Sequence, residues 1–595
     1  MKIKHYFGLA VIAAMTASCS SNEDLGTAGP GTGNNEAGVG YATFTINLPS
    51  TNGTRAGNPT YEQGTLDEYD VNDVTLLIFK KGDATKEDDY TFVEKADLGN
   101  MAPWKKDDTA NGITASATIT AKLSSVALTS AGSTSDYYAL AILNNKNSAG
   151  EDKITLPTSS TTSSTTESTT PPVTYGSWNA ASNTDETKLK DKGFYMANAP
   201  VFVADGEPTT LVNIDKVYAT KQKAETNAAT TIHVERGLAK VSIASNAFPS
   251  TALKPTGTKY NKDEVKITAW NLDVTNKSTF PIHKTAGLKN TNFSTIWSNT
   301  ASTTGASVTR FVDGSNPSFK RVHWGIDPNY RDDLSTVAAC EGAFNILPAN
   351  ATIDGAADKP QYCLENTFDI NHMKQGQTTR VVFKAIYTPS VLSSTTETDK
   401  TFFMIGKSTD IWTTKTLKDQ IASKAKEALS ITTDPTVELT GDLLTAGTHV
   451  LTKSNVSIKI KEGETETEKV DDKLVATLNT KLGLDKDKGI GIKTYKNGES
   501  YYIARIKHFG DDLTPWAEGQ ETYGTNNAEN NTKYLGRYGV LRNNWYELSI
   551  GSVSGPGTPD VPTIKPDEPD DESYRYISVS VKILSWAKRS QSVNL

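Results

Sequence analysis

Apolar and polar positions alternate with a period of two at both ends of the chain. Near the start, Ala42, Phe44, Ile46 and Leu48 share one parity and Thr43, Thr45 and Asn47 the other, closed by Pro49. This predicts a half-buried β-strand. At the far end Ile577, Val579, Val581 and Ile583 alternate with Ser578, Ser580 and Lys582, and Leu584 and Trp586 then carry the apolar set onto the opposite parity. That change of phase predicts a bulge and two short strands. Between the ends, strands are predicted at 71–79, 113–123, 137–143, 231–243 (bent at Gly237), 265–274, 380–387, 400–405 and 545–553, with 194–203 in the first core. The run 137–143 (YYALAIL) is continuously apolar and reads as a central strand. Leu417, Ile421 and Ala425 repeat every four residues and predict a helix over 416–429. Asn497-Gly498 predicts the turn of a hairpin over 495–502.

The segments between these elements are polar. Ser20 to Gly40 reads as a tether, and the loop from Ser50 to Pro59 is rich in Gly and Asn and holds Arg55, the first arginine. Such a loop suits a protease, although an ordinary loop arginine has the same appearance. Thr158 to Thr170 is nearly all Ser and Thr and reads as an exposed loop, a candidate for glycosylation. Gly555 to Ser573 is rich in Pro, Gly and acid and reads as a solvated, fairly stiff spacer. A β-branched strand beyond such a spacer must find a sheet, on its own chain or on another molecule.

Composition narrows the class. The chain has 595 residues, 36% hydrophobic content and a formal charge of −8. Strands and turns are favoured over helices, and two large all-β domains over four small ones. No basic stripe marks a nucleic-acid surface. The basic residues Lys2, Lys4 and His5 precede an apolar run, Phe7 to Met15, too short to span a bilayer. Thr16-Ala17-Ser18-Cys19 follows and looks like a lipobox with Cys19 as the lipidated residue, despite Thr16 in the place usually held by Leu; a plain secretory signal is the other reading. Cys340 and Cys363 could form one bridge or stand as two small buried side chains.

Motifs for catalysis are missing. The histidines are scattered, with no HExxH, no ligand spacing about the cysteines, no GxSxG elbow and no Walker motif. No enzyme, metal or cofactor is expected. Trp178, Trp324, Trp412 and Trp516 could line a sugar platform, but core or rim aromatics of sandwich domains are the better reading.

A set of motifs in fixed order resembles the type V fimbrillins of Gram-negative anaerobes, in particular shaft subunits of short (minor) fimbriae. They are Cys19, the strand before Arg55-Ala56-Gly57, the runs 138–144 (YALAILN), 233–240 (HVERGLAK), 270–276 (WNLDVTN), 362–366 (YCLEN), 501–510 (YYIARIKHFG), 538–548 (YGVLRNNWYEL) and 579–586 (VSVKILSW), and the terminal VNL. The resemblance implies an all-β fold of two transthyretin-like, Greek-key β-sandwich domains with one or two short helices. It implies a signal peptide (1–18), a propeptide with tether and removable strand (19–55), an N-terminal domain (56–228), a C-terminal domain (229–554), a spacer (555–573) and a donor strand (574–595). On this resemblance, a surface Arg-specific protease is expected to cut between Arg55 and Ala56. The strand bearing Ala42, Phe44, Ile46 and Leu48 leaves, and another subunit's Ile577, Val579, Val581, Ile583, Leu584 and Trp586 take its place. The implied partners are further copies in a head-to-tail polymer, anchor and tip subunits, the protease, and host or bacterial surface ligands. Membrane contact is through the precursor's lipid alone, as an outer-membrane lipoprotein that matures into a cell-surface fimbrium. A tip adhesin, an anchor subunit and a surface glycan-binding lipoprotein or glycosidase are the alternatives.

The residues lend this their own support. Both end strands present four apolar side chains at alternate positions, so a groove shaped for one suits the other. Burying four such groups stabilises by roughly 6–12 kcal/mol, at about 1.5–3 each. A head-to-tail contact does not close and makes a fibre.

Overall fold

The structure is a computed structural model. It describes residues 39–48, 68, 70–106, 115–158, 171–181, 185–201, 208–244, 248, 252–286, 288, 311, 322, 324–330, 333–393, 399–509, 514, 533–570 and 577–585. The lipobox with Cys19, the processing site at Arg55 and Ala56, the Ser/Thr-rich loop over 159–170, Trp516 and Trp586 lie outside the described residues.

The chain is mostly β. Its first sheet comprises β1 (Gly40–Asn47), β2 (Val74–Lys80), β3 (Thr91–Asp97), β4 (Lys105–Lys106), β5 (Ala115–Leu123), β6 (Tyr137–Leu143), β7 (Met196–Asn198), β8 (Val212–Asn213) and β9 (Thr230–Arg236). The order is β3-β2-β6-β7-β9-β1-β5-β4, with β8 also on β6. Period-two alternation sorts the side chains: Val74, Leu76 and Ile78 of β2 join Phe44, Ile46, Ala139 and Ile232 in one core. Leu77 and Phe79 join Leu140, Ile142, Tyr175 and Trp178 in another, which also takes in Ile282 and Leu364 from farther along the chain. Buried on both faces, β6 is the central strand its unbroken apolar run predicts.

The expected strand over 231–243 is divided between two sheets. β9 pairs with β1 and β7, whereas β10 (Ala239–Ile243) pairs with β14 (Gln361–Cys363) and β23 (Asn544–Val553). The passage from one sheet to the next therefore falls at Gly237-Leu238. The second sheet runs β14-β10-β23-β24, with β24 at Ile577–Ser585. Facing it is β11-β15-β22, from Glu264–Asp273, Arg380–Thr388 and Glu499–Arg505. Val241, Tyr546 and Leu548 from one sheet meet Trp270, Phe383 and Tyr502 from the other in one core, as a sandwich requires. A two-residue pair, β12 (Thr275–Asn276) with β13 (Phe344–Asn345), lies beside it.

Residues 399–498 are inserted between β15 and β22, which are paired neighbours. The insert carries β16 (Phe402–Ile405), β17 (Thr436–Leu439), β18 (Gly447–His449), β19 (Val456–Glu462), β20 (Thr465–Glu468) and β21 (Ile492–Tyr495). They form sheets β16-β21-β18 and β17-β19-β20. Helices Thr414–Leu429 and Asp472–Lys481 complete it. Leu417, Ile421 and Ala425 face the insert's own core, as their spacing predicts, and Thr413 caps that helix by accepting from the Thr416 N–H. The hairpin expected over 495–502 does not form. Asn497 and Gly498 do take positive φ (52° and 77°), but β21 pairs with β16 and β18 while β22 pairs with β15, so the turn hands the chain from one sheet to another.

Over its described residues, 555–570, the expected spacer is not solvated. From Gly555 to Asp570 it is a belt tied along the second sandwich. Tyr502 Oη donates to Gly555 O (3.0 Å) and Tyr495 Oη to Gly557 O (2.7 Å), while Thr558 exchanges two backbone bonds with Tyr501 (2.8 Å each). Val561 and Ile564 are buried, Arg380 donates to Pro562 O, and Thr378 Oγ1 lies 2.7 Å from Asp570 Oδ2. Pro and Gly here set an extended path across a surface rather than a free arm; nothing in their composition distinguishes the two.

Candidate functional site

The first strand sits inside its sheet, held on both edges. β1 pairs antiparallel with β5 at eight positions, Gly40↔Leu123 to Asn47↔Ser116, and parallel with β9 at four, Phe44↔Thr230 to Asn47↔His233. Ala42, Phe44, Ile46 and Leu48 are at most 2% exposed. On the opposite face Thr43 and Thr45 make hydroxyl pairs with Thr120 and Thr118, 2.8 Å each. The narrow end of the place is Gly40, where an added Cβ would lie 2.3 Å from Val217 Cγ1 and 3.4 Å from Val126 and Leu128.

After Leu48 the chain is next described at Glu68, which is buried and clamped. Its carboxylate lies 2.7 Å from Lys240 Nζ on β10 and accepts from Tyr362 Oη on β14 (2.6 Å), and its carbonyl accepts from Arg236 Nε at the end of β9 (2.8 Å). Lys240 in turn stands 3.9 Å over the Trp545 ring of β23. Glu68 thus ties the start of the body to both sheets at their junction. No local signal singles this residue out: an acid in a Gly- and Asp-rich stretch has no pattern until its cation partner folds beside it.

The C-terminal strand lies on its own chain. β24 pairs antiparallel with β23 at nine positions, Asn544↔Ser585 to Val553↔Ile577, and forms the edge of its sheet. The bulge expected in the tail lies instead on β23, between Ile550 and Ser552, and β24 runs unbroken from Ile577 to Ser585. The irregularity is taken up at Gly551, the residue that bulges most readily. Of the predicted donor residues, Ile577, Val579, Val581, Ile583 and Leu584 fall in this ladder.

Cys340 and Cys363 are both free and both buried, each in a different core, so the structure does not make the bridge considered for them. Burial pushes the Cys340 thiol up to about 11 and the Cys363 thiol higher still. A second buried polar set joins the two parts of the chain. Glu235 of β9 lies 3.1 Å from His283 Nδ1, and Arg542 pairs with Glu365 and donates to Thr279 Oγ1 (2.9 Å). Elsewhere loss of solvent is the main cause that raises two carboxyls, helped by a neighbouring acid at each: Glu87, beside Asp88, to about 8, despite accepting from the Thr210 and Leu211 amides, and Asp327, near Glu365, to about 7. Of the tryptophans that could line a sugar platform, Trp178 and Trp324 are buried, as core aromatics. Among the described residues no three His, Cys, Asp or Glu side chains gather as a metal site.

The site is therefore a pair of strand positions, one enclosed and one at an edge, on a two-part β framework. Residues 493–592 match the family model described as "Major fimbrial subunit protein type IV, Fimbrillin, C-terminal", a stretch that contains β22, β23, the belt and β24. The matching family is type IV where the motif resemblance is to type V; the fimbrillin is common to both. No curated protein matches the chain. Among solved structures, a putative cell adhesion protein from Parabacteroides distasonis is similar at 11% identity over 93% of this chain and 98% of that one, with a TM-score of 0.36. One from Bacteroides eggerthii is similar at 12% over 93% and 98%, with a TM-score of 0.31. The tip fimbrial protein Mfa3 from Porphyromonas gingivalis is similar at 9% over 92% and 100%, with a TM-score of 0.24.

Proposed function

We propose that this chain is a shaft subunit of a cell-surface fimbrium, exported as a lipoprotein on Cys19, cut after Arg55 by an Arg-specific surface protease and polymerised when one copy's tail fills the place that another copy's β1 leaves. The observation that carries the reading is the inequality of the two strand positions. At home the tail has one ladder, on β23; the place of β1 offers two, on β5 and β9, and a fully apolar floor. Each ladder bond adds about 0.5–1.5 kcal/mol, so a vacated inner place holds a strand more firmly than an edge does. Until the cut, β1 fills the receiving place and β23 holds the tail, and the subunit stays monomeric through export. Glu68 supports a cut upstream of it: the segment carrying β1 can leave while the remainder stays fixed to both sheets.

Adhesion and biofilm formation follow from the fibre, with anchor and tip subunits and surface ligands as its other partners. A tip adhesin would not need a donor strand after the belt, and an anchor would not need Arg55. Deleting Tyr574–Leu595 tests the reading. Monomers that fold and are cut but make no fibre are expected; fibres from the deleted chain would overturn it.

A further inference from the structure

We propose that the incoming tail lies in the vacated place with its direction opposite to that of β1, antiparallel to β9 and parallel to β5. The inference rests on the strand exchange proposed above and adds the geometry of the occupant, a second copy's Ile577–Ser585. The place has a taper. From the Gly40 end its floor accepts nothing, then a methyl, then Phe44, Ile46 and Leu48, all buried. Gly40 is its tight point, walled by Val217, Val126 and Leu128.

The tail's apolar parity reads Ile577, Val579, Val581, Ile583, with Arg575 before it and Ser585 after it. Laid in the direction of β1, with Ile577 at Ala42 and Ile583 at Leu48, the chain brings Arg575 to Gly40. An arginine there would drive a long side chain against Val217, where even an added Cβ would lie 2.3 Å from the Cγ1 atom, with Val126 and Leu128 on its other sides. A slide of two residues forward puts Ile577 at the tight point, and a slide back puts Arg575 at Ala42 in the core. Reversed, with Ile577 at Leu48 and Ile583 at Ala42, the residue at Gly40 is Ser585, which asks only Val217 to yield. The four apolar groups fill the same floor in either direction, so the two flanks decide. The outer face gives a smaller preference the other way. Running with β1 would set Ser578 and Ser580 opposite Thr120 and Thr118, keeping both hydroxyl pairs, whereas reversal keeps only Ser580 with Thr118 and sets Lys582 against Thr120. The Thr45–Thr118 pair is exposed and water replaces it readily, whereas Thr43 is buried and its pair with Thr120 half-buried, so reversal costs most there; the tight point, which has room for a serine and not for an arginine, outweighs that cost.

The β1–β5 register converts this into crosslinks between cut subunits. Thr118 opposes tail position 580 in either direction, so T118C with S580C reports occupancy alone. Thr120 opposes Lys582 if the tail is reversed and Ser578 if it is not. Thr118 is exposed and Thr120 half-buried on the outer face, so these changes leave the core intact, and Cys340 and Cys363 are buried away from oxidant. Directly opposed strand residues are close enough for a disulfide. On a non-reducing gel of oxidised fibres, ladders are expected for 118/580 and for T120C with K582C, and no ladder for T120C with S578C. Ladders for 118/580 and for T120C with S578C would overturn the reversed direction and leave the exchange standing. No ladder from any of the three pairs would overturn the exchange into this place, and the direction with it.

Discussion

The first and last strands are matched in pattern and opposed in setting. β1 and β24 both alternate apolar with small polar residues, yet β1 is enclosed between β5 and β9, and β24 is held on one edge by β23. The difference shows that the spelling of a strand decides which face it buries and not how many neighbours it gets. Under the proposed exchange, the enclosed place has to be emptied first, which would make proteolysis the gate and the tail's edge a waiting position.

Substitutions at the two strands and around them should separate their roles. The largest effect is expected from Arg55→Ala, which keeps β1 in place: uncut monomers at the surface and no fibre by electron microscopy, with normal fibre showing that processing lies elsewhere. Phe44→Ala empties a large buried volume in β1 and should lower precursor stability by about 3–5 kcal/mol in denaturant melts. The same substitution should leave the assembled fibre unchanged, because β1 is no longer there. Glu68→Ala strands Lys240 without its buried carboxylate and should remove about 3–5 kcal/mol. Unlike the loss at Phe44 it should persist after the cut, since Glu68 stays with the body.

A smaller, pH-dependent effect separates the two parts of the chain. Glu87 packs with the first sheet and keeps its proton up to about 8 when folded, against about 4.5 when unfolded. Between those values the unfolded state has released a proton that the folded state still holds, so stability is full below about pH 4.5 and falls as pH rises through about 8. Glu87→Gln should flatten that fall in thermal melts. Asp327 in the second part should add a decline ending near pH 7, flattened by Asp327→Asn. The smallest effect is expected from Thr45→Val, which breaks one exposed hydroxyl pair with Thr118 and should change precursor stability by about 0.2–1 kcal/mol.

Much of the fold is legible in the spacing of single residues. The apolar pattern locates β1, β5, β6, β15 and β23 to within a few residues, by alternation in β1 and by an unbroken apolar run in β6, because burying one face or both dictates the spelling of a strand. The four-residue repeat of Leu417, Ile421 and Ala425 does the same for the insert's longer helix. Connectivity is harder. Asn497-Gly498 states that the chain turns, and only the partners of β21 and β22 decide that it turns between sheets. Gly237 marks a bend, and only the pairing of β9 with β1 says that the bend separates two sheets. The belt over 555–570 reads as a free spacer because Pro, Gly and acid describe both a loose arm and an extended strap; the deciding contacts, from Tyr495, Tyr502 and Thr378, lie far away in sequence. Glu68 and the set Glu235, His283, Glu365 and Arg542 are illegible for the same reason, being long-range polar contacts without local pattern.

The belt also shortens the reach of the tail. With residues up to Asp570 tied down, the proposed exchange would be left to the residues beyond it and would need neighbouring subunits to sit close. At about 3.3 Å per residue, Asp571 to Tyr576 spans roughly 20 Å.

Peptide mapping of purified fibres against secreted monomer tests the vacancy most directly. If strand exchange builds the fibre, peptides covering Tyr41–Arg55 are recovered from the monomer precursor and missing from the fibre, whose chains begin at Ala56. Recovery of those peptides from fibres in one-to-one yield with peptides covering Tyr538–Leu548 would show β1 still in place and contradict the exchange.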